Sequence, residues 1–206
     1  YFSLNIYQID IMFLKNLFKY KFVLFLFILL CFLFIINGSN LVDGFNGLLA
    51  IQLIIINSIL LYLNLQNNMI EFSILIISNI IILLTFLLFN FPKAKIFMGD
   101  GGAYFFGAIT SLNVIYTNNY DLNTSSFFYC IIIFYLFFEV FFSFLRKIMN
   151  KKSPVHPDNK HLHMLIFKKT SSIYGKNKGN FINSIIINSV YLILVLPALI
   201  FAKDPV

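Results

Sequence analysis

Three short polar segments carry most of the side chains that could perform chemistry in this otherwise apolar chain. They cover residues 37–47, 91–102 and 153–163. Carboxylates and amides among glycines, as in the first two segments, suit a divalent cation and phosphate groups, because glycine lets the backbone approach a ligand closely. The third segment supplies histidines, which contact phosphate or donate protons near neutral pH. Together the three segments indicate chemistry on a phosphorylated substrate.

The first segment, 37–47, combines three asparagines and one aspartate with three glycines. Asn40, Asp43 and Gly47 are spaced three and four residues apart, so on a helical turn they would share one face. Two further amides of this segment are candidates for substrate binding, Asn37 and Asn46. A capped helix end is the alternative explanation, since Asn, Asp and Gly favour such positions.

The second segment places Asp100 among glycines just before an apolar run. Asp100 could simply cap the following helix. It could also coordinate a hard cation, while the backbone N–H of Gly101 and the helix start face a phosphate. For the nearby Lys93 and Lys95 we favour a position at the membrane surface over phosphate binding.

The third segment holds all the histidines of the chain, namely His156, His161 and His163. A zinc site is not supported, because no cysteine accompanies them and the spacing fits no standard arrangement. A solvated basic loop is the alternative. Inside the apolar run before this segment stands a carboxylate, Glu139, which is a functional candidate by its position. We favour instead a pairing of Glu139 with Arg146 or Lys147.

The elements that must position these segments are membrane-spanning helices. Hydrophobic residues make up 60% of the 206 residues, and charged residues only 11%, whereas soluble domains carry about 25%. Apolar runs near the length that a bilayer requires predict an all-α, polytopic transmembrane bundle of about six spans. The predicted spans are 22–36, 48–65, 72–89, 103–117, 126–145 and 181–202.

Six successive spans place the three polar segments on one side of the membrane and the loops 66–71 and 118–125 on the other. Eleven of the 15 lysine and arginine residues fall on the side of the polar segments, so the positive-inside rule predicts that this side is cytoplasmic. Residues 1–206 should form one membrane domain, with 146–180 as a basic, histidine-bearing loop. The two cysteines give no disulfide framework, and nucleic-acid binding is not indicated.

In this order, the motifs resemble those of the polyprenyl-phosphate N-acetylhexosamine-1-phosphate transferases. Residues 40–48 (NLVDGFNGL) resemble the family motif N-x-x-D-G-x-[DN]-G-L, and residues 97–102 (FMGDGG) resemble F-[ML]-G-D-x-G. Residues 156–163 (HPDNKHLH) resemble the histidine motif of the undecaprenyl-phosphate GlcNAc-1-phosphate transferase branch rather than that of the phospho-MurNAc-pentapeptide translocases. The resemblance covers roughly residues 22–202.

The resemblance implies transfer of a sugar 1-phosphate from a UDP-sugar to a polyprenyl phosphate, with release of UMP, in the inner membrane of a bacterium. It also implies Mg²⁺, with Mn²⁺ as the alternative, and it allows a homodimer. Asp43 and Asp100 would be catalytic metal ligands, and His161 and His163 would be catalytic. Substrate would be bound by the remaining polar positions, Asn37, Asn40, Asn46, Gly101 and His156.

Family members also carry an adjacent pair of aspartates in an N-terminal half, and this chain has no such pair. The chain begins with Tyr1, and we expect it to be the C-terminal part of a longer transferase and inactive by itself. The competing hypothesis is half of a transporter or flippase, in which polar groups would lie near the bilayer midplane. The sequence leaves the identity of the UDP-sugar and the glycan pathway open.

Overall fold

The computed structural model describes residues 9–121, 123–151, 153 and 160–202, and within these ranges every regular element is an α-helix. The helices are α1 (Met12–Leu17), α2 (Lys21–Val42), α3 (Leu48–Gln66), α4 (Ile70–Asn90), α5 (Gly99–Tyr120), α6 (Ser126–Met149) and α7 (Leu162–Ile200). Five of them, α2, α3, α4, α6 and α7, are long and apolar enough to span a membrane. The prediction of an all-α membrane bundle is thereby confirmed.

Helix α5 differs from the other long helices. It occupies the fourth predicted span and has 22 residues, as many as α2, but it is not among the helices apolar enough to count as spans. The reason is its polar buried face, formed by Thr110, Ser111, Asn113, Thr117 and Asn118. This face packs against other helices instead of lipid, so α5 does not need an apolar surface all round.

Two amide–hydroxyl hydrogen bonds join α3 to α5 inside the bundle. Asn57 Nδ2 donates to Thr110 Oγ1 at 3.0 Å, and Asn64 Nδ2 donates to Thr117 Oγ1 at 2.8 Å. Between the two bonds both helices advance by seven residues, so α3 and α5 run parallel. This direction is the one expected for two spans separated by a single helix, as the sequence predicted.

The loops on the far side of the bundle also group as predicted. The backbone N–H of Ser125 donates to the carbonyl of Ala202 at 2.8 Å, and Asn123 Nδ2 donates to Asn67 Oδ1 at 3.4 Å. These bonds bring the loops 66–71 and 118–125 to the end of the bundle where α7 finishes. At the opposite end of the bundle lie the first two polar segments and the described part of the third.

The predicted loop 146–180 is largely helical. Helix α6 continues to Met149, and α7 begins at Leu162. At Gly175 the backbone of α7 leaves helical geometry, with φ of 78° and ψ of 161°, a left-handed φ that glycine adopts without strain. The chain then folds back on itself, because Thr170 Oγ1 donates to the carbonyl of Gly179 at 3.0 Å. Residue His156 lies outside the described residues.

Helices α2 and α6 approach each other closely at Gly38. A β-carbon built on Gly38 would lie 2.3 Å from the carbonyl oxygen of Leu136, and neither backbone can yield easily. We therefore expect Gly38→Ala to destabilise the bundle by about 1–3 kcal/mol, the usual cost of overpacking. Thermal unfolding in detergent measures the effect. The matched control is Gly44→Ala, because a β-carbon on Gly44 meets no atom within 4 Å; equal stability of the two variants would contradict the prediction.

Candidate functional site

Two carboxylates meet where α2 ends and α5 begins. Asp43 follows the last residue of α2, and Asp100 lies in the first turn of α5. Asn40 Nδ2 donates to Asp100 Oδ1 at 2.9 Å, and the backbone N–H of Gly99 donates to the carboxylate of Asp43. Gly99 has a left-handed φ of 68°, a conformation that favours glycine. The first two polar segments are therefore one site, as the sequence suggested.

Asp43 is held in an environment that disfavours its negative charge. Burial raises the pKa of Asp43 to about 6; the negative charge of Asp100 also raises it, while the Gly99 N–H opposes the shift. Two neighbouring carboxylates of this kind gain from a nearby positive charge.

The oxygen donors at this point suit a hard cation. Mg²⁺ is usually held by one or two carboxylates, with water and substrate phosphates completing its shell. Asp43 and Asp100 meet that requirement. No group of three His, Cys, Asp or Glu side chains is arranged to hold a metal ion within residues 9–121, 123–151, 153 and 160–202. The candidate protein ligands at this site are therefore the two carboxylates.

Asparagines fix the loops around these carboxylates. Asn46 Nδ2 donates to the carbonyl of Pro92 at 2.9 Å, and the backbone N–H of Asn46 donates to Asn180 Oδ1 at 2.8 Å. Asn90 Oδ1 accepts from the backbone N–H of Gly47 at 2.6 Å, and Asn90 Nδ2 donates to the carbonyl of Ile96 at 2.7 Å. The loop after α2, the loop after α4 and helix α7 are thus tied together.

The other predicted substrate-binding residues occupy different positions. Asn37 Nδ2 donates to the carbonyl of Leu33 one turn earlier in α2, at 2.7 Å. Gly101 is exposed in the first turn of α5, and a β-carbon there would meet no atom within 4 Å. The backbone N–H groups of a first helical turn lack partners within the helix. Substrate contacts for Asn37, Asn46 and Gly101 stay predictions.

Two of the three histidines are held by one carboxylate. His161 Nδ1 lies 2.9 Å from Glu139 Oε2, and His163 Nδ1 lies 3.2 Å from Glu139 Oε1. The two imidazole rings stack at an angle of 9°, with centroids 5.3 Å apart. These contacts replace the predicted pairing of Glu139 with Arg146 or Lys147, because both oxygens of the carboxylate face the histidines.

A phenylalanine joins the histidines to the aspartate site. The ring of Phe45, two residues after Asp43, meets His163 edge to face with centroids 5.6 Å apart. Phe45 also packs against Phe167 of α7, at 4.9 Å between centroids. The third polar segment therefore reaches the same end of the bundle as the first two.

Several residues that build the site were absent from the sequence-based candidates. Asn90, Gly99 and Asn180 hold the loops through the hydrogen bonds given above. The sequence offered a signal for Gly99, which precedes Asp100 in the glycine-rich segment. Asn90 and Asn180 stand at the edges of apolar runs, where asparagine is also a common helix end. Nothing in their sequence positions indicated that both would bond to the loop after α2.

Residues 1–118, more than half of the chain, match the sequence model of glycosyl transferase family 4. The chain belongs to glycosyl transferase family 4. No solved structure is significantly similar to this family 4 chain.

Two curated relatives of this family 4 chain are named as undecaprenyl-phosphate transferases. It is 31% identical over 143 residues to the undecaprenyl-phosphate alpha-N-acetylglucosaminyl 1-phosphate transferase of Thermotoga maritima, covering 69% of this chain and 43% of the relative. It is 35% identical over 132 residues to the probable undecaprenyl-phosphate N-acetylglucosaminyl 1-phosphate transferase of Bacillus subtilis, covering 63% and 36%. The family 4 chain therefore spans less than half the length of these relatives.

A third relative belongs to the translocase branch. The phospho-N-acetylmuramoyl-pentapeptide-transferase of Streptococcus agalactiae is 43% identical over 75 residues, which cover 35% of this chain and 22% of the relative. The match to the GlcNAc-1-phosphate transferases is about twice as long. The resemblance to the polyprenyl-phosphate transferases, and to their GlcNAc branch in particular, is confirmed.

Proposed function

We propose that this protein transfers a sugar 1-phosphate from a UDP-sugar to undecaprenyl phosphate or another polyprenyl phosphate, releasing UMP. GlcNAc-1-phosphate or a related N-acetylhexosamine phosphate is the proposed group. The observation that carries the proposal is the meeting of Asp43, Asp100 and Asn40 at the end of the bundle that also holds the histidine pair. Such a product would begin the synthesis of a cell-envelope polysaccharide.

In this reaction a phosphate oxygen of the lipid attacks the phosphorus that carries the sugar. The anhydride bond to the other phosphate breaks, and UMP leaves with the bond electrons. Asp43 and Asp100 would hold Mg²⁺, or Mn²⁺ as the alternative, which when bound neutralises phosphate charge. Asn40 keeps the Asp100 carboxylate oriented through its 2.9 Å hydrogen bond. His161 and His163 would contact the diphosphate or the sugar.

A site at the end of the bundle suits this pair of substrates. The lipid phosphate lies at the membrane surface, and a nucleotide sugar arrives from water. The exposed side of Asp100 and the open space over Gly101 leave room for a phosphate at the start of α5, where the helix dipole favours negative charge.

The transporter or flippase hypothesis finds less support in the packing. Asn57, inside the bundle, bonds to two other helices: its Oδ1 accepts from Asn113 at 2.8 Å and from Asn79 at 3.4 Å. Bonds of this kind hold membrane helices together. The break in α7, at Gly175, lies in its basic first part and not in the apolar part that crosses the membrane, unlike the broken helices of transporters.

We further propose that the site faces the cytoplasm, since most of the basic residues lie on its side. Ser153 and Asn123 are both exposed and belong to opposite ends of the bundle. In a background without Cys31 and Cys130, we expect Asn123→Cys to react with a membrane-impermeant maleimide in intact cells. Ser153→Cys should react only after lysis. The reverse pattern would place the site outside the cytoplasm.

The direct test of function is transfer of label from radioactive UDP-GlcNAc to a polyprenyl phosphate by the full-length protein with Mg²⁺. Formation of UMP and of a lipid-linked diphosphate sugar in equal amounts is the expected result. Other UDP-N-acetylhexosamines, tested in the same way, identify the sugar. Release of free sugar phosphate, or transfer that does not need the lipid phosphate, would contradict the proposal.

A further inference from the structure

We propose that Glu139 is a positioning residue that holds His161 and His163 in one tautomer, with Nδ1 protonated and Nε2 left for the substrate. The inference rests on the proposed function for its substrate but not for its geometry. It gives a role to a buried carboxylate that the reaction described above does not use.

The geometry requires both imidazoles to donate from the same ring atom. An ionised carboxylate only accepts hydrogen bonds, and the Nδ1 atoms lie 2.9 Å and 3.2 Å from its two oxygens. Each Nδ1 must therefore carry the proton. The second ring nitrogen of each histidine, Nε2, then has a free lone pair in the neutral ring, and it can donate only when the ring is protonated.

Burial makes this arrangement specific. Glu139 is 3% exposed, His161 5% and His163 0%. A carboxylate inside a membrane helix is costly without partners, and the two imidazoles lie within hydrogen-bond distance of its two oxygens. The stacked rings, inclined by 9°, present their Nε2 atoms on the sides that face away from the carboxylate.

An unpartnered nitrogen of His163 indicates where a ligand would bind. His163 Nε2 is buried and has no hydrogen-bond partner in the structure, although a buried polar atom without a partner is unfavourable. The ring of His163 meets that of Phe45 edge to face, and Phe45 lies in the loop that carries Asp43. A sugar hydroxyl bound between the histidines and the aspartates would satisfy this nitrogen by donating to it, and a phosphate oxygen would do so by accepting from it once the ring is protonated.

The first test observes the tautomer without any reaction. In the chain labelled with ring-¹⁵N histidine and embedded in lipid, its three histidines give three pairs of ring-nitrogen NMR signals. We expect two pairs with protonated Nδ1 and unprotonated Nε2 at a pH where the rings are neutral. In Glu139→Gln at least one of these should change, because a glutamine has a single acceptor oxygen and an amide that donates. Protonated Nε2 on the neutral ring of either His161 or His163 in the unaltered chain would overturn the inference.

The matched control is Glu71→Gln, the same change at the other glutamate of the chain. Glu71 is exposed and lies in the first turn of α4, at the far end of the bundle. Its replacement should leave all three histidine signal pairs unchanged. A Glu139→Asp variant, which keeps the carboxylate, should retain protonated Nδ1 on at least one ring; loss of both there would mean that the signals report disturbed packing and not tautomer control.

The second test uses the transfer reaction of the full-length protein. We expect Glu139→Gln to lower kcat and kcat/KM together by about tenfold or more, with little change in KM for the UDP-sugar, since proton placement acts in the transition state. A rise in KM alone would overturn the positioning role. If the unaltered protein transfers nothing, the proposed function fails while the NMR result still decides the role of Glu139.

Discussion

Transfer activity should fall by at least about 100-fold when Asp100 is replaced by asparagine in the full-length protein, which corresponds to about 2.7 kcal/mol of transition-state stabilisation. Asparagine keeps an oxygen that can accept from Asn40, so the 2.9 Å contact survives. What disappears is the negative charge at the start of α5, next to Asp43. A carboxylate that holds a cation against a diphosphate is worth much more than a helix cap, whose loss costs about 1 kcal/mol.

Asp10→Asn is the control for this experiment. The Asp10 carboxylate accepts from Ser125 Oγ at 2.5 Å and from the backbone N–H of Ser126 at 2.8 Å, so it also serves the start of a helix, but at the far end of the bundle. Its replacement should cost some stability and leave turnover per folded molecule near normal. If Asp100→Asn retained normal turnover at limiting Mg²⁺, Asp100 would serve only the first turn of α5 and the metal proposal would fail.

The second large effect is expected at the histidine pair. His163→Ala and His161→Ala should each lower turnover at least about tenfold, or roughly 1.4 kcal/mol. His163→Ala should be the more severe, because His163 is fully buried while His161 is 5% exposed. Both substitutions leave one oxygen of Glu139 without its partner, so protein yield and thermal unfolding must be measured beside turnover.

His156 separates two explanations of this loss. If all three histidines bind one diphosphate, His156→Ala should reduce turnover as much as the other two substitutions. If only the pair held by Glu139 takes part, His156→Ala should have little effect. Normal turnover in all three variants would instead mean that the histidines form an ordinary basic surface.

The hydrophobic pattern was sufficient to predict most of the fold. Apolar runs long enough to cross a bilayer predicted the five spanning helices, and alternation of the loops predicted which ends meet. The pattern could not predict that α5 has a polar buried face. Thr110 and Asn113 lower its hydropathy because they bond to α3 inside the bundle, which the sequence of α5 alone does not reveal. Nor could it predict the helix that begins at Leu162, because a basic composition looks the same in a loop and in an exposed helix.

The candidate site was predictable where the chemistry is local. Asp43 and Asp100 were identified from glycine-rich segments, and the structure brings their loops together. The role of Glu139 was not predictable from spacing, because its partners lie 22 and 24 residues away and a nearer arginine offered a simpler pairing. Asn90 and Asn180 were absent from the candidates for the same reason, since their hydrogen bonds cross between elements distant in sequence.

The paired amide and hydroxyl groups of α3 and α5 have a consequence for how this site tolerates change in length. Thr110 is ten residues after Asp100, about 15 Å along α5, and its bond to Asn57 fixes the rotation of that helix about its own axis. One residue inserted between Asp100 and Thr110 would swing the carboxylate by about 100°, away from Asn40. One residue added to the loop before Gly99 leaves that angle untouched. Homologous chains should therefore vary in length before this helix and keep a constant spacing within it.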